Sequence, residues 1–274
     1  MKKSMPKRNC IHRIVSLIKE NRKIYCELII NDFRSRYTGS FLGMLWGFIQ
    51  PVVTILIYWL VFQYGLRSGE RPDGIPYVLY MIPGAVPWFF FSEAWGGITT
   101  SFLDYSYLVK KLNFEVRLLP FVKLGSALIV HIVFLAFTTV VLNFSGYYAS
   151  WYYLQIVYYM FATAVFTVLI GMIAASLAVY IRDVIQVVGI IIQIGFWATP
   201  ICWGGDTGPA FLETVLKLNP MYYCVEGYRK SLIYRQGFWE EPLYALYFWA
   251  VVGVLSVLAA YMYGKLRPNF ADVM

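Results

Sequence analysis

Glu93 stands inside a long apolar stretch, MIPGAVPWFFFSEA, and an ionisable group at membrane depth normally faces protein or water rather than lipid. It has no partner visible in the sequence, so pairing across a subunit interface and lining an aqueous path both stay open. His12 and His131 have no metal-ligand neighbours, and no HExxH, GxSxG or Asp-x-Asp arrangement occurs. His131 lies in apolar surroundings and reads as a hydrogen-bonded packing residue before a proton carrier. The only Gly-Lys pair, Gly264 and Lys265, lacks the upstream glycine of a phosphate-binding loop. The chain therefore predicts no catalytic residue, no metal site and no ATP chemistry of its own. Cys10, Cys26, Cys202 and Cys224 show no metal-binding spacing. Of these only Cys202 and Cys224 share an expected external compartment, where a disulfide would be speculative.

The elements that would hold such residues are apolar helices. Of 274 residues, 59% are hydrophobic and 14% charged, with mean hydropathy +0.60, too few polar groups to cover a water-facing surface. Six stretches are long enough to cross a bilayer, at about 42–64, 77–101, 121–143, 152–180, 184–203 and 243–264. Pro83, Pro87, Gly84, Gly96 and Gly97 predict a kink or break in the second. The net charge of +8 would suit nucleic acid, but ten of the 23 Lys and Arg residues precede position 37, which fits the cytoplasmic side of a membrane and not a nucleic-acid partner. Inner segments total 17 basic residues against six outside, placing both termini in the cytoplasm. No signal-peptide pattern follows MKKSMPKRNC, so the N-terminus is expected to be retained.

Residues 11–30 set Ile11, Ile14, Ile18, Tyr25 and Ile29 at helical spacing with basic residues on other faces. This predicts an amphipathic helix, lying on anionic lipid or packed on a soluble partner. The loop 103–120 presents Tyr105, Leu108 and Leu112 beside Lys110 and Lys111, either a helix docking in a partner's groove or a plain connection. Segment 204–242 alternates turn signals with FLETVLKL and MYYCVEGYRKSLIY, too short to span, so re-entrant or interfacial helices are expected. Arg182 and Asp183 read as a structural ion pair. Aromatic residues make up 19% of the chain. Tyr58, Trp59, Phe62, Trp88, Phe89 and Phe90 suit either an interfacial belt or a lining on which sugar rings stack, and composition does not separate the two.

Read together, RSRYTGSFLGMLWGFIQPVVTILIYWLVF (34–62), MIPGAVPWFFFSEA, YLVKKLNFEVRLLP, IRDVIQVVGIIIQIGFWATPICW, NPMYYCVEGYR and KLRPNFADVM resemble, in order and over nearly the whole chain, permease subunits of ABC-2 type exporters of polysaccharides and teichoic acids. The resemblance implies an all-α membrane protein with six transmembrane helices, an N-terminal interface helix within residues 1–40, a transmembrane domain over 41–267 and a tail over 268–274. It further implies a homodimer with two copies of a cytosolic ATPase subunit, which would bind the ATP and magnesium. The loop at about 103–116, with Tyr105, Leu108, Lys110, Lys111 and Leu112, would be the coupling helix. The implied cargo is a polymer on undecaprenyl pyrophosphate, whose phosphates Arg34 and Arg36 would meet with paired hydrogen bonds; anchoring to anionic lipid suits them equally. FIQP and VFQYGLRSG lie closer to teichoic acid exporters, with O-antigen or another surface polysaccharide second. A small-molecule or lipid exporter, a channel and a membrane transferase are the competing classes.

Overall fold

The computed structural model of the chain describes residues 22–65, 73–109, 116–203 and 210–273, and every regular element among them is helical. In order these are α1 (Arg22–Ser35), α2 (Trp46–Leu60), α3 (Tyr77–Asp104), α4 (Ser106–Val109), α5 (Leu119–Phe144), α6 (Gln155–Ala178), α7 (Asp183–Ala198), α8 (Ala210–Lys217), α9 (Pro220–Arg229), α10 (Pro242–Leu266) and α11 (Phe270–Val273).

Among the described residues, four stretches are both long and apolar enough to cross a membrane: Gly43–Leu60, Val116–Phe144, Trp151–Ala178 and Pro242–Asn269. They match the first, third, fourth and sixth of the expected spans. The fifth folds as α7, whose 16 residues fall short of the ~20 that a straight span needs. The second is α3, 28 residues long and not among those four. Its environment explains its mixed composition. α3 packs most extensively against α5 and α6, with further contact to α7 and α9, and Met81, Val86, Ala94, Ile98 and Phe102 are fully enclosed. A helix buried on all sides answers to neighbouring side chains rather than to lipid.

Of the kink or break expected at Pro83 and Pro87, the break does not occur: α3 runs continuously through both. Proline removes a backbone donor and distorts the preceding turn, so carbonyls there need other donors. In the turn before Pro83, Arg229 of α9 donates from Nε to the Tyr80 carbonyl at 3.2 Å. Gly84 leaves room for this, since a Cβ there would lie 2.5 Å from Arg229 Nη2. The guanidinium also donates to the Ile201 carbonyl at 2.8 Å and to Glu226, and lies 3.8 Å from the Tyr80 ring centroid. Arg229 is wholly buried, and these contacts tie α9 to α3 and to the end of α7.

The 204–242 segment holds the two short helices expected of it, α8 and α9. α9 begins at Asn219-Pro220, where the Asn219 side chain accepts from the Met221 amide at 3.0 Å, a standard cap followed by proline at the first helical position. α9 packs among α3, α6 and α10. Cys202 and Cys224 are both buried free thiols, so the speculative disulfide is absent.

α1 covers the second half of the expected amphipathic helix; residues 11–21 lie outside the described residues. Its face of Tyr25, Leu28, Ile29, Asp32 and Phe33 follows helical spacing and is the less exposed one. That face meets α5, where a Cβ on Gly125 would come within 2.6 Å of Ile29 Cδ1. The helix thus packs on its own chain.

Candidate functional site

Where α1, α3 and α5 meet, five charged side chains converge. Asp32 is 3% exposed and receives Arg36 Nη2 at 2.9 Å, Lys123 Nζ at 2.7 Å and the Tyr105 hydroxyl at 3.0 Å. Arg36 also donates from Nη1 to Glu93 Oε1 at 2.6 Å. Lys123 reaches on to Asp104 at 2.8 Å, which in turn accepts from the Thr100 hydroxyl. Burial pushes the Asp32 carboxyl up, but the hydrogen bond from Lys123 and the charge of Arg36 outweigh it and hold the group below the ordinary carboxylate range. With Asp32, Glu93 and Asp104 set against Arg36 and Lys123, the group carries one negative charge in excess.

Helical spacing builds this arrangement. Asp32 and Arg36 lie four apart on α1 and its end, while Phe89, Ser92 and Glu93 share one face of α3. On α2, Gly47, Gln50, Pro51 and Thr54 share another. Between these faces, with Arg36 and Tyr37, lies an open cavity of about 380 Å³. Gly47 is needed there because a Cβ would lie 2.6 Å from the Tyr37 hydroxyl. The Thr54 and Ser92 hydroxyls donate to carbonyls of their own helices, Gln50 and Phe89, and keep acceptor capacity toward the cavity.

The partner that the sequence left unnamed for Glu93 is Arg36, 57 positions away. Arg36 therefore has its guanidinium committed to two carboxylates. Arg34 is exposed and has no carboxylate within ion-pair distance among the described residues. Asp32 and Lys123 are the central residues that sequence reasoning missed, although the four-residue spacing of Asp32 and Arg36 was a readable signal.

Of the residues expected to form the coupling element, Tyr105 is half-buried and held by its bond to Asp32. Leu108 falls in α4, its side chain outside the described residues, as are Lys110, Lys111 and Leu112. Tyr107, not singled out from the sequence, is the exposed aromatic of α4. Among the proposed lining aromatics, Trp88 and Phe90 are only 4% and 2% exposed. Trp88 packs on Phe91 and Phe196, Phe90 on His131; both point into the subunit's own core and offer no face to a conduit along its surface. Tyr58, Trp59, Phe62 and Phe89 are half-buried, with Tyr58 stacked on Phe196 and Phe62 on Tyr77. His131 Nε2 lies 2.9 Å from the Tyr228 hydroxyl, a packing hydrogen bond. Arg182, in the turn before α7, and Asp183, its first residue, are both exposed and form no ion pair with each other.

Five charged side chains thus form one linked group where three helices of an apolar helical chain meet. Residues 25–233 match the family described as ABC-2 type transporter. The chain belongs to this family. ABC-2 permeases are transmembrane subunits, generally without catalysis of their own, and the membrane placement of this chain follows from membership and from its apolar helices. It is 28% identical over 263 residues to the O-antigen export system permease protein RfbA of Myxococcus xanthus, covering 95% of this chain and 98% of the relative. Two O-antigen export system permease proteins RfbA of Klebsiella pneumoniae are each 25% identical, covering 89% of this chain and 92% of the relatives. The chain is thus similar over most of its length to permeases named for O-antigen export. These relatives favour the second of the two cargoes raised from the sequence; none of the three bears a teichoic acid name.

Proposed function

We propose that this chain forms the membrane path of an ATP-driven exporter that carries an O-antigen-class polysaccharide, linked to undecaprenyl pyrophosphate, across the cytoplasmic membrane. The observation that carries the reading is the near full-length similarity to three permeases named for O-antigen export. In this reading the chain has six spans, with α8 and α9 as re-entrant helices on the outer side and both termini inside. It works as a homodimer with two ATPase subunits, which bind ATP and magnesium. The broad apolar exposure of α2 (Leu56, Ile57, Leu60), α7 (Ile190, Ile191, Ile194) and α10 (Val254, Val257) gives area for lipid and for a second copy. The loop beginning at Tyr105 docks on the ATPase through Leu108, Lys110, Lys111 and Leu112. Movement there reaches α1 through the bonds of Asp32 to Tyr105 and Lys123. Arg34, exposed and without an acidic partner among the described residues, takes the pyrophosphate; Arg36 is held in place by its two carboxylates.

The test is ATP turnover by the chain and its ATPase, co-purified into nanodiscs, with a lipid-linked O-antigen precursor beside a lipid-linked teichoic acid precursor. Stimulation by the first alone is expected. Turnover indifferent to both, or no copurifying ATPase, would overturn the reading.

A further inference from the structure

The cavity between α2 and α3 has a composition that neither lipid packing nor phosphate binding explains. Its charged lining groups, Arg36 and Glu93, are paired with each other at 2.6 Å, and the adjoining carboxylates leave the surroundings slightly negative. An anion is disfavoured in such a place, because the nearest guanidinium is already committed and further phosphate charge would face Asp32 and Glu93. Lipid tails are disfavoured as well, since Tyr37, Gln50, Thr54, Ser92 and Glu93 line the space alongside Pro51 and Phe89. Gln50 is exposed, and its amide makes no hydrogen bond to a described residue. Its two N–H donors and one carbonyl are therefore available, as are acceptor sites on Thr54 and Ser92 and the second oxygen of Glu93. Neutral polyhydroxy rings match this set: hydroxyls can donate to the carboxylate and side-chain oxygens and accept from the Gln50 amide, while a ring face lies against Phe89. The volume of about 380 Å³ lies within the ~300–1,000 Å³ usual for small-molecule sites. Glu93 sits roughly 16 Å along α3 from Asp104, by helix rise, and the cavity beside it is open.

We infer that this cavity is a sugar subsite, taking the lipid-proximal sugar of the exported glycan while the pyrophosphate lies outside it near Arg34. This rests on the export reading above, and it adds a place where head-group sugar, not the phosphate, is recognised. Gln50, Thr54 and Ser92 are the contacts, and Glu93 is the acceptor that Arg36 orients.

The test is direct binding to the full chain in nanodiscs of two radiolabelled probes: undecaprenyl pyrophosphate, and the same lipid bearing one N-acetylglucosamine. The parent should bind the sugar-bearing lipid more tightly. The triple variant Gln50→Ala, Thr54→Val and Ser92→Ala touches no ion pair. It should lose about tenfold in affinity for the sugar-bearing lipid, the scale of two or three lost hydrogen bonds each of modest net strength, and nothing for the bare lipid. Arg34→Ala should weaken both probes alike. Equal binding of the two probes by the parent, or a triple variant that binds both as the parent does, would overturn the subsite. The exporter reading fails on a different observation: sugar-dependent binding that persists while ATP turnover of the full complex ignores the precursor.

Discussion

Replacing Arg229 by methionine keeps much of the side-chain volume and removes every polar bond the guanidinium makes. Lost are the donors to the Tyr80 and Ile201 carbonyls, at 3.2 and 2.8 Å, the pairing with Glu226, and the stacking on Tyr80 at 3.8 Å. Glu226 is 17% exposed, so the variant strands a largely buried carboxylate and leaves two carbonyls short of a donor. Breaking a buried pair from one side costs ~3–5 kcal/mol, most of it the stranded charge. The double variant Arg229→Met, Glu226→Gln removes that charge. Only the neutral carbonyls then lack their donor, at about 1 kcal/mol each, so the pair should recover to within ~2 kcal/mol of the parent. Unfolding by SDS titration from mixed micelles, followed by tryptophan fluorescence, measures both. Hydrogen exchange of α9 amides shows whether the loss is local to the contact with α3. A single variant within about 1 kcal/mol of the parent, or a double variant less stable than the single, would refute the view that Arg229 is a paired structural cation.

Asp32 titrates below its unfolded value of about 3.9 because of Lys123 and Arg36. Its contribution is therefore complete at neutral pH and lost as pH falls below ~4; the gap in apparent Tm between parent and Asp32→Asn should close there, and a gap that widens on acidification would sink the argument. Gly227→Ala places a Cβ 2.1 Å from the ring of Tyr159, which is 2% exposed, and should destabilise by about 1–3 kcal/mol as overpacking does, read by the same SDS titration. Cys26 is exposed whereas Cys202 and Cys224 are buried and free. In a Cys10→Ser background, maleimide mass-tagging should modify Cys26 in the folded chain and reach Cys202 and Cys224 only after denaturation without reductant.

Several properties were legible in the sequence for stated physical reasons. Long apolar stretches must be helices in a bilayer because each satisfies its own backbone bonds, and the matching spans start and end near the expected residues. Segment 204–242, whose apolar stretches are too short to span, is expected to hold short helices, which the structure places as α8 and α9. The order of motifs along the chain pointed to the transporter family that residues 25–233 match.

Tertiary structure decided the rest. Periodicity reports which residues share a face of one helix, and not which face of another helix it meets. Glu93 and Arg36 are each readable as charges near apolar stretches, yet their pairing depends on how α1 crosses α3 and α5, which close contacts such as Ile29 against Gly125 set. Pro83 predicts a kink or break by local rules; α3 continues through it, and Arg229, 149 positions away, donates to the Tyr80 carbonyl in the preceding turn. Trp88 and Phe90 have the composition of a lining and the location of a core, because α3 is surrounded by other helices. In a chain whose helices are nearly all apolar, hydrophobicity fixes that they insert, and the few buried polar side chains fix how they are put together.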